Sequence, residues 1–284
     1  MGGEDGGEST LVSALSAGDL EMCRQQMKLG VKDESSLRGY FQSLFRYACS
    51  HPTPQQPAGE TISHPLVVLN ALKNLVSLRL DRPSKTLMEY ATRLAAESRP
   101  EEPDDGWLQV PAEILAQPLV VLDLLWALEE GDRERAFREA ARISLVSENK
   151  FYVMEILTEV CLHEFERWAP FGYALNRTCA FCRGKDIKSF VWTLLNAISR
   201  HPVRTVPSVL PKAFRVGAYA SPVLGGGDLK DVVMLAVAHR FWHLDSVKQA
   251  TYRKGISGWL LDRYGTPEDL SEEPVVDPPP RQRR

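Results

Sequence analysis

The stretch His64-Pro65-Leu66-Val67-Val68-Leu69-Asn70-Ala71-Leu72 returns later in the chain as Gln117-Pro118-Leu119-Val120-Val121-Leu122-Asp123-Leu124-Leu125. The β-branched residues in each copy form only a short run, and residues that favour helices flank it. A proline is well placed as the first residue of a helix, because its missing N–H costs no hydrogen bond there. We therefore expect Pro65 and Pro118 each to open a helix.

Two further pairs of segments resemble each other. Ala14-Leu15-x-x-Gly18-Asp19-x-Glu21 matches Ala127-Leu128-x-x-Gly131-Asp132-x-Glu134, and Cys49-x-His51 matches Cys161-x-His163. Internal repetition is typical of stacked supersecondary units. The repeats predict an all-α protein of duplicated helical hairpins, packed as a multi-helix bundle or a short α-solenoid. Two of the hairpins should turn at Gly18-Asp19 and Gly131-Asp132. Chance similarity between amphipathic helices is the alternative explanation.

The distribution of Gly, Pro and charge predicts the domain organisation. Residues 1–9 are rich in Gly and acidic residues, and residues 266–284 are rich in Pro, so we expect both to be disordered tails. Between them, residues 10–265 form one all-α domain of two related halves, about 10–115 and 116–265. A Pro- and acid-rich break at residues 98–111 lies near the boundary between the halves.

The spacing of apolar residues along this domain is helical, and strand patterns are nearly absent. The segment Phe151–Arg167 predicts a long amphipathic helix, which we expect Pro170-Phe171-Gly172 to interrupt. Residues 201–227 contain several prolines and three consecutive glycines, so they predict a long loop that could cover a cavity.

Composition excludes several classes of function. The chain has 284 residues, of which 44% are hydrophobic, and its formal net charge is -3. A weakly acidic chain does not provide the basic field that nucleic-acid binding needs. No apolar run reaches the ~18 residues of a transmembrane helix, so we expect no membrane partner. Five dispersed cysteines without an apolar leader segment predict a reduced, cytoplasmic environment.

The motif Cys179-Ala180-Phe181-Cys182 allows three interpretations. Two thiols at this spacing can form a redox-active dithiol when one lowers the pKa of the other. They can also supply half of a zinc site, with Cys161 and His163 as the other half. The third interpretation is ordinary helix cysteines. We favour it over the zinc site because Cys161 and His163 are two residues apart, and residues at that spacing do not share a face of a helix.

Three histidines are candidates for chemistry. His239 and His243 are spaced i, i+4, which places both on one face of a helix, with Trp242 beside them and Asp245 placed to orient His243. His64 precedes the helix at Pro65, where the helix dipole favours a neutral imidazole that can accept a proton. Core packing, helix capping or surface exposure are the structural alternatives for each of them.

Three segments resemble the questin oxidase-like helical proteins: the helix start His64–Leu66, the segment Gly172–Leu175 and the segment Trp242–Val247. The resemblance covers about residues 35–260. It implies an all-α fold with histidine-bearing helices around an interior cavity, and oxygen-using chemistry on aromatic polyketides. It also implies a histidine at the position where Tyr173 stands.

These observations lead to two hypotheses of function. In the first, an interior pocket binds a small hydrophobic molecule and oxidises it. Its catalytic residues would be His64, His239 and His243, its ligand-binding residues Trp168, Tyr173, Trp242 and Asp245, and it would contain no metal; the sequence does not identify a cofactor. In the second, the chain is an α-solenoid scaffold or adaptor that binds a protein partner along a concave face.

Overall fold

A computed structural model describes residues 5–31, 33–49, 64–97, 105–184, 186–200, 202–203, 214–226, 229–244, 246 and 248–265 of the chain. Over these ranges the protein is all-α, as the sequence predicts, and contains no β-strand. The first helix begins at Asp5, inside the segment that the sequence predicts to be a tail. The predicted C-terminal tail, residues 266–284, lies outside the described residues.

The described residues form fourteen α-helices. They are α1 (Asp5–Ser16), α2 (Leu20–Gly30), α3 (Glu34–Cys49), α4 (Pro65–Val76), α5 (Lys85–Ala96), α6 (Ala112–Leu115), α7 (Val121–Glu130), α8 (Arg133–Val146), α9 (Tyr152–His163), α10 (Phe165–Phe181), α11 (Ile187–Ile198), α12 (Ala220–Gly226), α13 (Leu229–Trp242) and α14 (Gln249–Tyr264). Short 3-10 helices occupy Ser77–Arg79, Asp105–Leu108 and Val216–Tyr219.

The prediction of a long loop over residues 201–227 is wrong for the second part of this segment, which is helical from Val216 to Gly226. The side chains of Val216, Tyr219 and Val223 are buried there. The Tyr219 hydroxyl also donates a hydrogen bond to the carbonyl of Gly265, at 3.1 Å. Burial of these apolar side chains therefore orders a segment whose prolines and glycines predict a loop.

The two Gly-Asp segments form turns with the same geometry. Gly18 and Gly131 have φ values of 67° and 73°, a left-handed conformation that glycine adopts without steric cost. In each turn the amide of the following aspartate donates to the carbonyl five residues earlier, at 2.9 Å from Asp19 and 2.8 Å from Asp132. Each aspartate carboxylate then caps the next helix by accepting an amide three residues on. The α1–α2 and α7–α8 hairpins thus share one helix-ending motif.

The two Pro-Leu-Val-Val-Leu segments adopt different structures. Pro65 is the first residue of α4, as predicted, but the helix expected to open at Pro118 begins at Val121. The carbonyls of Gln117 and Pro118 accept hydrogen bonds at 3.0 and 2.9 Å from the Arg142 guanidinium of α8. This side chain provides hydrogen bonds to the two carbonyls, and the segment stays outside a helix up to Val120.

The predicted interruption at Pro170 is also wrong. Pro170 lies inside α10, and the helical path instead breaks at Glu164, whose φ of -116° and ψ of 65° separate α9 from α10. Gly172, expected to belong to the interruption, lies where α10 crosses α9. A Cβ atom at this position would be 2.7 Å from the Sγ atom of Cys161. The glycine therefore permits close packing of the two helices.

Helix α10 lies between two hydrophobic clusters. Trp168, Phe171 and other α10 residues belong to a large cluster that extends from α1 to α11. Phe165, Ala169 and Tyr173, spaced four residues apart, belong to a smaller cluster with α13 and α14. The large cluster combines residues from before and after position 115, and the division into two related halves stays a prediction.

Candidate functional site

An open cleft of about 640 Å³ lies where the 3-10 helix Asp105–Leu108 packs against the start of α8. Its volume is within the ~300–1,000 Å³ typical of ligand sites. Three segments contribute its lining: the 3-10 helix with the chain that follows it, the first turns of α8, and α11. The lining residues are Gly106, Trp107, Gln109, Val110, Pro111, Arg133, Glu134, Phe137, Arg138 and Trp192.

Aromatic rings form the apolar wall of this cleft. The Trp107 ring meets the Phe137 ring edge to face, with centroids 6.2 Å apart and planes at 81°. Trp192 reaches the cleft from α11 and is largely buried. Such rings provide a large apolar contact area with few rotatable bonds.

Helix α8 places its cations beside these rings because residues four apart share a helix face. Arg133 and Phe137 have this spacing, and the guanidinium carbon of Arg133 lies 5.3 Å from the centre of the Phe137 ring. The Asp132 carboxylate fixes the helix start by accepting the Arg135 amide at 3.0 Å. The register of α8 thus follows from the Gly-Asp turn.

The lining of the cleft contains two arginines, Arg133 and Arg138, and one carboxylate, Glu134. The Arg133 guanidinium donates to the Asn196 amide oxygen at 2.8 Å, and across the described ranges it has no carboxylate within ion-pair distance. Arg138 lies 3.4 Å from the Glu139 carboxylate, and Glu134 also lines the cleft. Arg133 is therefore the cation that is best placed to receive an anionic group.

The histidines proposed as catalytic occupy different environments. His64 is 1% exposed, its Nδ1 atom accepts the Leu66 amide at 3.2 Å as a helix cap, and its ring packs on Phe171 at 4.5 Å between centroids. His239, near the end of α13, and His243, the residue that follows the helix, are both exposed, with ring centroids 4.8 Å apart. The pKa of His239 is lowered, first by partial burial and then by the charges of His243 and Arg240.

The proposed ligand-binding aromatics are also distributed. Trp168 is buried in the large cluster, and Tyr173 in the smaller cluster meets Phe241 at 5.1 Å between ring centroids. Trp242 is half-buried, beside Phe214 at 5.3 Å and under the Arg253 guanidinium at 5.1 Å. Asp245 lies outside the described residues. None of the described candidates lines the cleft between Trp107 and Trp192.

All five cysteines are buried, and none of them forms a disulfide. Burial, with the neighbouring Cys182 thiol, raises the pKa of Cys179 to about 12. A raised pKa keeps the thiol protonated, which is the opposite of what a redox-active dithiol needs. No group of three or more His, Cys, Asp or Glu residues in the described part of the chain could hold a metal ion. These observations favour ordinary helix cysteines.

No protein-family model matches the chain, and no curated protein or solved structure shows significant similarity to it. The resemblance to questin oxidase-like proteins therefore stays a prediction. Among the helices described above, none is long and apolar enough to cross a membrane.

Sequence reasoning missed the cleft residues. Two signals could have indicated them: a lone tryptophan, Trp107, at the end of the Pro-rich break, and the i, i+4 pair of Arg133 and Phe137 just after the Gly131 turn. Neither signal is specific, because such pairs are common on exposed helix faces.

Proposed function

We propose that this protein is an all-helical binding module that docks a segment of a partner protein in the cleft between Trp107 and Trp192. An apolar side chain of the partner inserts between the aromatic rings, and an adjacent carboxylate pairs with Arg133. The cleft itself is the observation that carries this proposal: it is open, aromatic and flanked by a cation without a carboxylate partner in the described chain.

The residue types of the cleft support binding of a protein segment. Tryptophan and arginine are enriched among the residues that contribute most to protein–protein affinity. Interface cores are enriched in aromatic residues and arginine and depleted in lysine. An open cleft also suits a side chain presented on a polypeptide, whereas a hydrophobic small molecule is usually enclosed over most of its surface.

The same lining gives little support for catalysis at this place. It includes no histidine, cysteine, serine or lysine, and its single carboxylate, Glu134, has no nucleophile beside it in the lining. Nucleophilic or acid–base catalysis needs such a pair within hydrogen-bond reach. Oxidation of a hydrophobic molecule by His64, His239 and His243 remains a separate hypothesis, which rests on the family resemblance.

The test is selection of a random twelve-residue peptide library on the full-length protein, followed by fluorescence titration of the enriched peptides. Enriched peptides should combine an aromatic or leucine residue with Asp or Glu. Trp107→Ala and Arg133→Gln should each weaken binding by about 30-fold, the equivalent of a ~2 kcal/mol hot spot.

Trp126→Ala is the matched control, because Trp126 is 46% exposed on α7 and does not line the cleft. It should bind the peptides as the wild type does. A library without enriched peptides, or peptides that bind equally to the Trp107 and Trp126 variants, would contradict the proposal. Circular dichroism of each variant separates lost binding from lost fold.

A further inference from the structure

A second, smaller cavity of about 120 Å³ lies where α3, α4 and the end of α10 meet. Its floor is apolar, with Leu37 and Phe41 from α3, Val76 from α4 and Phe181 from α10. Water occupies ~30 Å³ per molecule in the liquid, so the cavity has room for about four methylene-sized groups. None of its lining residues belongs to the cleft described above.

Two cations face the Phe181 ring in this cavity. The Nζ atom of Lys73 is 4.9 Å from the ring centre, and the guanidinium carbon of Arg38 is 5.3 Å from it. The Lys73 ammonium donates one hydrogen bond, to the Asn70 amide oxygen at 3.1 Å. An ammonium has three donors, so Lys73 retains the capacity to bind an anion.

The cations around this cavity form no ion pairs within the described ranges. Within the described ranges, neither Lys73 nor Arg38 has a carboxylate within ion-pair distance, and the same holds for Arg177 and Arg240. Burial and then the positive charge of Arg177 lower the pKa of Lys73 to about 8, with smaller effects of Arg240 and Arg38 in the same direction. Glu34 is exposed and also lines the cavity, and it forms no ion pair with Lys73.

We propose that this cavity is a binding site for a small organic anion with a short apolar chain. The chain packs on Phe41, Val76 and Phe181, and the anionic head accepts hydrogen bonds from Lys73 and Arg38. A carboxylate and a phosphate monoester share this chemistry, because both present oxygens that accept from cations. The site is distinct from the cleft and does not depend on the function proposed for it.

The experiment is isothermal titration calorimetry of the full-length protein with butanoate, butyl phosphate, butan-1-ol and acetate. Butanoate or butyl phosphate should bind, and the tighter of the two identifies the preferred head group. Butan-1-ol lacks the charge and acetate lacks the chain, so both should bind at least ten times more weakly. No saturable binding of either butyl anion would overturn the proposal.

Lys73→Met keeps the apolar stem and removes the charge, and it should weaken binding of the preferred anion by about tenfold to hundredfold, as expected for a lost hydrogen bond between charged groups. Lys188→Met makes the same change on an exposed turn of α11, away from the cavity, and should leave binding unchanged. A second variant, Leu80→Asp, changes a partly exposed residue of the lining and should repel the anion without disturbing the core. Equal affinities of wild type, Lys73→Met and Leu80→Asp would refute the site.

Discussion

Replacement of Gly172 by alanine tests the close packing of α9 and α10. The added Cβ atom would lie 2.7 Å from the Sγ atom and 2.9 Å from the Cβ atom of Cys161. Carbon atoms in favourable contact are ~3.5–4.0 Å apart, so both approaches are repulsive. Gly172 and Cys161 are both buried, and the second clash involves an atom fixed to the backbone, so rotation of the Cys161 side chain cannot relieve it.

The magnitude follows from two opposing effects. Alanine in place of glycine within a helix stabilises it by ~1 kcal/mol. Overpacking of a filled core costs ~1–3 kcal/mol, and two contacts below 3 Å place Gly172→Ala at the upper end of that range. We expect the free energy of unfolding to fall by about 2 kcal/mol.

Gly39→Ala is the matched control, because Gly39 lies within α3 and an added Cβ atom would meet no atom within 4 Å. This variant should gain up to ~1 kcal/mol, so the two substitutions should differ by about 3 kcal/mol. Urea unfolding followed by circular dichroism at 222 nm measures both. A Gly172→Ala protein as stable as Gly39→Ala would show that α9 and α10 do not approach each other so closely.

Three further predictions concern charged groups. Burial lowers the pKa of Lys73 to about 8, whereas an unfolded lysine keeps a pKa of ~10.4. The unfolded state therefore binds more protons between these two pH values, and the stability of the wild type rises with pH in this range. In urea unfolding, Lys73→Met should be more stable than wild type at pH 7, and this advantage should shrink towards pH 10. Arg142→Met should reduce the free energy of unfolding by ~3 kcal/mol, the lower end of the range for a broken buried ion pair, because it removes the buried partner of Glu139 at 2.6 Å and leaves only the more exposed Arg138 contact. The matched Arg138→Met variant removes a more exposed contact with the same carboxylate and should cost less than ~1 kcal/mol in the same assay. Asp132→Ala should lower the thermal midpoint through loss of ~1 kcal/mol of helix capping, and an unchanged midpoint would contradict the role of this carboxylate.

The parts of the fold that the sequence predicts correctly depend on local interactions. The turn at Gly131 needs a glycine for its positive φ and an aspartate to cap the next helix, and both lie within a few residues of the hydrogen bonds they make. The helix start at Pro65 is local in the same sense. Such features can be predicted from a short segment because no distant residue is needed to form them.

The wrong predictions occur where residues distant in the sequence determine whether a segment is helical. The segment at Pro118 has the pattern of a helix start, yet the Arg142 guanidinium binds the carbonyls of Gln117 and Pro118, and the helix begins only at Val121. Pro170 lacks one helical hydrogen bond, a cost of ~3 kcal/mol in an isolated helix. Burial of Phe171 and Leu175 in the large cluster, together with the close approach at Gly172, offsets that cost and keeps α10 continuous.

The same distinction explains why the candidate sites from the sequence and from the structure differ. The i, i+4 spacing correctly predicts that the rings of His239 and His243 lie close together, but it does not determine whether these rings face a cavity or solvent. The cleft has no such local pattern: Trp107, Arg133 and Trp192 come from three segments that are separated in the sequence and that the tertiary fold brings to one cleft. Their chemistry depends on the position of Arg133, which has no carboxylate partner in the described part of the chain, beside the aromatic rings. Variants of Trp107 and Arg133 therefore test the cleft directly, because both residues line it and none of the three candidate histidines does.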